Sequence, residues 1–361
     1  MGAIEQVFPA EVIARLFADS RRPNRRDRYY GARHRHEILT ARGEFPSERD
    51  RWYEIRQRRA ERAAWDAYLE AAADTGVLDD DVIARLRGDD EDHVRSALTE
   101  CMVAWLFARR LGLQLTARPL GRGARRPEFL VEHPATPFRA EVKAPKEEEA
   151  PEGVWCGNAA PKLEACLFEA SKQFAAGVAN VLVMAPSLRV PVTNDRYQFV
   201  MAFLGEFQLV VQIDRRTGGP AGPSENRFAP RGRFTRYDKS KGEPRFTRVS
   251  AAVVIEEKIV DPVVHRGPFT RTEVLEAAAR GDERPLWERM AYEWTAPRRS
   301  SEAMWIGHNV FVIHNPYATH PIDRAVFEDF PQLVRVDEDG SGFTMAWTDG
   351  HRIGPGNDRS A

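Results

Sequence analysis

"RRPEFLVEHPATPFRAEVKAPKEE", residues 126–149, reads as two short strands joined by a turn at "HPATP", with Glu128, Glu141 and Lys143 on or beside them. Side chains alternate across a strand, so Glu141 and Lys143 project to one face while Ala140 and Val142 project to the other. A hairpin turn brings Glu128, thirteen residues earlier, across from Glu141. Two carboxylates side by side repel, so such a pair is normally stabilised by a cation. The lysine sharpens the point: the chain has seven lysines against forty-six arginines. A generic basic surface position here would be Arg, so a Lys inside an apolar strand points to the need for a compact ammonium. The plain alternative is an exposed cross-strand charge set, worth a few tenths of a kcal/mol.

The flanking segments give the hairpin a setting. A long amphipathic helix is expected over 91–111, stopped by Gly112. "LQLTARPL", "PEFLVEH" and "FRAEVKAP" follow as strands, and Pro145, which has no amide hydrogen, ends the pairing. The helix "PKLEACLFEASKQFAAGV" then leads into the apolar strand "NVLVMAP", so residues 91–186 read α, β, β, β, α, β. Glu100 is flanked by Ala97, Cys101, Val103 and Ala104 near the apolar face of the first helix, which points a third carboxylate toward the same site. Hard oxygen ligands on a partly open site favour Mg²⁺ or Mn²⁺. Such an ion lowers the pKa of a bound water and stabilises charge developing on a phosphodiester, while Lys143 would position that water or neutralise the transition state.

Glu100 in a helix, "RPEF" with Glu128, "AEVK" with Glu141 and Lys143, and a helix with Lys172 and Gln173 before "NVLVM" together resemble the PD-(D/E)XK nuclease superfamily. The resemblance implies an α/β protein with a restriction-endonuclease-like αβββαβ core, its mixed central sheet flanked by helices. It also implies Mg²⁺- or Mn²⁺-dependent hydrolysis of phosphodiester bonds, usually in DNA, by an endo- or exodeoxyribonuclease of restriction, repair or defence. On that pattern Glu128 and Glu141 are metal ligands, Lys143 assists the nucleophilic water, Glu100 is an accessory acid, and Gln173 or Lys172 is an accessory polar group. The first acidic position of the family is usually Asp, and the extra methylene of Glu128 moves its carboxylate by about 1.5 Å. That departure makes a catalytically degenerate protein of the same fold, a nucleic-acid-binding or assembly component, the alternative. RNA stays open as a substrate, because the chemistry acts on a phosphodiester. A second Glu-x-Lys, Glu256 and Lys258 in "VVIEEKIV", lacks the preceding acidic strand and the upstream helix.

Composition sets the limits. With 361 residues, 42% apolar and 30% charged, the chain has the make-up of a soluble globular protein, and its formal net charge of −1 gives no overall field toward nucleic acid or membrane. A polyanion must therefore be met by local clusters. Arg122, Arg125, Arg126, Lys146 and Lys172 are the expected nucleic-acid contacts around the hairpin, with solvated hairpin arginines as the plain reading. Residues 21–36, "RRPNRRDRYYGARHRH", read equally as a phosphate-contacting arm or as arginines paired with neighbouring acids. In the basic insertion 215–248, Arg227, Arg231, Arg233, Arg236, Lys239, Lys241 and Arg245 interleave with Phe228, Phe234, Tyr237 and Phe246, a pattern that fits base stacking or a flexible solubilising loop.

The expected organisation is a helical N-terminal extension over 1–90, the nuclease-like core over 91–190, α/β elements extending that core over 191–350, and a frayed tail over 351–361. His308, His314 and His320 stand at spacings of six, which suits no usual zinc site, and "HNPYA" reads as a turn after a strand. Cys101, Cys156 and Cys166 form no short-spaced motif, and neither a signal peptide nor an apolar run near twenty residues is evident. A cytoplasmic protein acting on DNA without a membrane is the expectation, with a homodimer or a protein partner left open.

Overall fold

The computed structural model describes residues 2–20, 31–41, 52–119, 127–145, 160–185, 196–210, 216, 225–229, 232–238, 240, 242–263, 268–299, 302–338, 342–348 and 352–353. The chain divides into two compact units, one formed by 1–74, 78–98 and 257–308 and the other by 75–77, 99–256 and 309–361.

The first unit opens with helices α1 (Ala3–Val7), α2 (Ala10–Ser20), α3 (Ala32–Thr40), α4 (Trp52–Asp74) and α5 (Asp80–Arg87), and it takes in the start of α6 (Glu91–Trp105). Gly76, at φ 69°, closes the long helix α4 as its position in the sequence predicts. The Asp79 carboxylate then caps α5 by accepting from the Val82 amide at 2.9 Å. Residues of α4 supply the buried stripe Ala60, Trp65, Tyr68, Leu69 and Ala72, which follows the helical period.

The second unit is α/β. After α6 the chain makes a π-helical turn (Leu106–Arg110) and stops at Gly112, φ 66°. Strands β1 (Gln114–Ala117), β2 (Phe129–Glu132) and β3 (Phe138–Lys143) follow, then α7 (Ala160–Ser171), β4 (Ala179–Met184) and α8 (Arg196–Phe203). The αβββαβ element order read from the sequence is thus present. Next come β5 (Glu206–Val210), β6 (Glu225–Ala229), β7 (Tyr237–Asp238), β8 (Glu243–Pro244) and β9 (Ala251–Val260). Helices α9 (Arg271–Ala279) and α10 (Arg284–Arg299) return to the first unit before β10 (Trp305–His314), β11 (Gln332–Glu338), β12 (Gly342–Trp347) and β13 (Arg352–Ile353).

Nine strands form one mixed sheet in the order β1-β2-β3-β4-β9-β10-β11-β12-β13. The β1-β2 and β2-β3 pairs are antiparallel, and β3, β4 and β9 are mutually parallel. A parallel strand covered on both faces needs apolar residues throughout, and all six residues of β4 are buried. Leu182 and Met184 of β4 pack against Leu163, Leu167 and Phe174 from α7 and its end, and against Phe199 and Phe203 of α8. On the opposite face Phe138 meets Phe107 of the π-helical turn edge-on, with ring centroids 5.8 Å apart, and also meets Phe327 of a 3-10 turn. The sheet therefore has helical cover on both sides.

The insertion read as a flexible basic loop is built differently in its described parts. It carries β6, β7 and β8, and Phe234 and Phe246 are buried in the core, Phe234 stacked on Phe203 at 5.2 Å. Those two rings are held by packing and are not presented to bases. Gly232 makes the entry to this packing feasible: a Cβ there would lie 2.3 Å from the Leu204 nitrogen. "HNPYA" is the expected turn, with Asn315 Oδ1 accepting from the Tyr317 amide at 3.0 Å. Segment 257–308, expected to extend the sheet, instead belongs with the N-terminal helices, except for the strand ends it shares with β9 and β10. Among the described residues no helix is long and apolar enough to cross a membrane.

Candidate active site

The β2-β3 register pairs Phe129 with Ala140 and Leu130 with Arg139, so the next step outward sets Glu128 opposite Glu141. The parallel register of β3 on β4 sets Glu141 beside Leu182 and Lys143 beside Met184, which places both on the face covered by α7. The backbone at Glu128 is tied by the Arg118 amide, which donates to the Glu128 carbonyl at 2.6 Å; Arg118 adopts φ 47°. One oxygen of the Glu128 side chain accepts from the Val142 amide at 3.0 Å. The extra methylene of Glu is thus absorbed by a backbone hydrogen bond across the hairpin.

Glu141 is fully buried. Its Oε1 accepts from Lys143 Nζ and from Gln173 Nε2, each at 2.5 Å. Its Oε2, also buried, has no hydrogen-bond donor among the described residues. Gln173 reaches the strand from the turn that ends α7, where its amide donates to the Ala170 carbonyl at 2.9 Å. Two donors on one oxygen fix the carboxylate's rotation, and the other oxygen is left to an acceptor's usual partner, a proton or a cation.

The electrostatics follow from this crowding. Burial, proton sharing with Glu141 and the charge of Glu141 hold the Glu128 carboxyl well above the usual carboxylate range, against the opposing pull of Lys143 and the Val142 amide. Burial works to lower the Lys143 ammonium, but the charges of Glu141 and Glu128 and the hydrogen bond to Glu141 outweigh it and hold it above its ordinary value. Cys166, half-buried on α7, adds a smaller push in the same direction. That neighbour was not anticipated from the sequence; its seven-residue spacing from Gln173, two helical turns, is the signal that was present.

Three of the expected site residues, Glu128, Glu141 and Lys143, therefore converge, with Gln173 as a fourth. Glu100 does not complete a three-carboxylate metal site with them. It is buried in α6, and among the described residues no group of three or more His, Cys, Asp or Glu side chains gathers so as to hold a metal ion. Burial in a helix does not by itself set which neighbour Glu100 faces. Lys172 donates to Glu169 at 2.5 Å and lies over the Phe168 ring at 4.3 Å, engaged on its own helix and its end. Arg122, Arg125, Arg126 and Lys146 lie outside the described residues.

Among the other expected phosphate contacts, residues 21–30, Arg231, Lys239 and Lys241 and the side chain of Arg227 lie outside what is described, and several of the rest pair within the protein. Arg35 is buried and donates to the Leu86 and Gly88 carbonyls at 3.1 and 2.8 Å, so the described end of the 21–36 segment is structural, and Arg33 pairs with Glu37. In the insertion, Arg233 and Arg236 lie 2.7 and 3.5 Å from the Glu164 carboxylate of α7.

Mg²⁺ commonly uses one or two carboxylates and keeps waters or phosphate oxygens in its remaining positions, so Glu128 and Glu141 are the residues that could hold such an ion. The observation in favour is two buried carboxyls set side by side, Glu141 Oε2 having no hydrogen-bond partner among the described residues beyond the proton it shares with Glu128. No family model matches this chain, and no curated protein or solved structure shows significant similarity to it.

Proposed function

We propose that the protein is a metal-dependent nuclease with a restriction-endonuclease-like core, hydrolysing phosphodiester bonds of DNA at the Glu128, Glu141, Lys143 and Gln173 cluster. The observation that supports the reading is the arrangement on Glu141: Lys143 and Gln173 occupy one oxygen, and the buried carboxylate is set beside the Glu128 carboxyl, with which it shares a proton when no cation is bound.

Glu128 and Glu141 would hold Mg²⁺ or Mn²⁺, which on binding supplies a more acidic water and neutralises charge on the phosphodiester. Gln173 keeps Glu141 in one rotamer, so the ligand is oriented before substrate arrives. Lys143 carries its positive charge beside the same carboxylate, where it balances the pair and faces the charge that develops on a phosphoryl oxygen. The Val142 amide fixes Glu128 from the strand itself, which answers the departure from Asp: the longer side chain is anchored.

The test is cleavage of linear, circular and single-stranded DNA, with an RNA arm, at low salt in Mg²⁺, Mn²⁺ or EDTA. Activity is expected with metal and absent in EDTA, with a loss of the order of 10²-fold or more in Glu141→Ala and Lys143→Ala. Equal cleavage by Glu141→Ala and the parent overturns the mechanism. Salt-dependent DNA binding with no cleavage by the parent under any condition supports the degenerate, binding-only alternative in its place.

A further inference from the structure

The first unit holds a second group of titratable side chains, unrelated to the hairpin. Tyr68 of α4 is buried, and its hydroxyl lies 2.7 Å from Glu257 Oε1 on β9 and 2.5 Å from His308 Nε2 on β10. His308 Nε2 is 3.9 Å from the same Glu257 oxygen, and the Tyr68 and His308 rings meet edge-on at 5.7 Å. One helix and two strands are thus joined through a single phenolic oxygen.

Hydrogen counting constrains what this junction does. Two hydrogen bonds at the phenol need two hydrogens, and the phenol brings one. In a first arrangement Glu257 is protonated and donates to the Tyr68 oxygen, while the Tyr68 hydroxyl donates to an unprotonated His308 Nε2. In a second, the Tyr68 hydroxyl donates to an ionised Glu257 and a doubly protonated His308 donates to Tyr68. These two are neutral overall and interconvert by moving two hydrogens in the same direction, with no bond formed to any outside group. With one proton fewer, both hydrogen bonds survive only if His308 is neutral with its hydrogen on Nε2 and Glu257 is ionised, which leaves a net negative charge in a poorly solvated place.

The charged groups facing the junction make that loss costly. Glu61, seven residues before Tyr68 on the same stripe of α4, is buried; it accepts from Arg58 at 2.9 Å and from Gln57 at 3.0 Å, and lies 3.6 Å from His34 of α3. Burial raises the Glu257 carboxyl, the Tyr68 hydrogen bond works to lower it, and the Glu61 charge raises it again, with the result at about 7. Glu257 keeps 21% of its side-chain surface, so solvent protons reach it.

We propose that Tyr68, Glu257 and His308 form a proton-operated clasp, which holds α4 to β9 and β10 while it shares one extra proton and loosens when that proton leaves on the alkaline side of neutrality. The sign follows from the direction of the carboxyl: the folded state holds a proton that the unfolded chain has already released, so stability falls as pH rises from the ordinary carboxylate range through neutrality.

The experiment compares urea unfolding of the full chain and of Glu257→Gln from pH 5.5 to 9. The folding equilibrium constant of the parent is expected to fall by up to about tenfold relative to the variant between pH 6 and 8.5, the part of the shift that lies above pH 6; parallel curves overturn the proposal. A measurement on the parent alone guards against a variant that does not fold. The ¹³C resonance of the Glu257 carboxyl should titrate near neutrality, and titration in the ordinary carboxylate range overturns the clasp. In Tyr68→Phe the His308 imidazole should no longer follow the Glu257 step; if it still follows, the phenol is not the link.

Discussion

Replacing Lys143 by Met removes an ammonium while keeping most of its volume, and the structure gives the size of the effect. The ammonium lies 2.5 Å from Oε1 of a Glu141 side chain that is 0% exposed, while the lysine side chain itself is 25% exposed. Removing one partner of a fully buried pair costs about 3–5 kcal/mol. Water reaches Lys143, and Gln173 remains as a second donor to the same oxygen, so we expect about 2–3 kcal/mol here. Glu141→Gln with Lys143→Met removes both charges and should recover part of the loss, giving a coupling of about 1–2 kcal/mol in a double-mutant cycle. The pH dependence has a definite sign. Glu128 is held above its ordinary value and Lys143 opposes that rise, so Met in place of Lys lifts Glu128 further. A carboxyl raised in the folded state loses stability as pH climbs from the ordinary carboxylate range toward its folded value, so the variant's deficit should grow with rising pH once the parent's carboxyl has ionised. Urea unfolding of the four proteins in EDTA across a pH series measures all of this. Additive single variants, or a Lys143→Met protein within about 0.5 kcal/mol of the parent, would refute the reasoning.

Two further outcomes follow from described contacts. His314 is buried with Nε2 2.8 Å from Gln332 Oε1, and burial lowers it to about 4, so the unfolded chain gains its proton first on acidification; the parent should lose about 3 kcal/mol more than His314→Gln between pH 7 and 4, as read by denaturation at both values, and equal losses would count against a neutral buried imidazole. Gly232→Ala places a Cβ 2.3 Å from the Leu204 nitrogen and 2.4 Å from the Phe203 carbonyl carbon, so it should destabilise by about 3 kcal/mol, and a thermal midpoint unchanged from the parent would show that the backbone yields there.

The centre of the second unit was legible because its signals are local. Strand alternation placed Glu141 and Lys143 on one face, a five-residue turn set Glu128 opposite, and Gly76 and Gly112 marked helix ends through the left-handed backbone they adopt. Gln173 entered through the family resemblance, and its contact with Glu141 came from the fold. What stayed hidden depends on contacts between distant segments. Helix α8 has almost no amphipathic pattern because it is packed on several sides, and β11 alternates charged with apolar residues in a way that a loop also would. Glu257 sat inside the second Glu-x-Lys segment, yet its partner Tyr68 is 189 residues away. Nothing in either neighbourhood announces the pair. For Glu100 an apolar flank predicted burial correctly, and burial alone does not set direction.

The first unit is assembled from three separated stretches, 1–74, 78–98 and 257–308. During synthesis the N-terminal helices therefore emerge well before the segment that completes their surroundings. About 160 residues, 99–256, intervene, on the order of 8 to 32 s at ordinary rates of translation. Over that interval the buried stripe of α4 has no β9 end, no α10 and no His308 to meet. A nascent chain arrested before residue 257 should present that stripe to chaperones, and the same surface should vanish once residue 308 clears the ribosome.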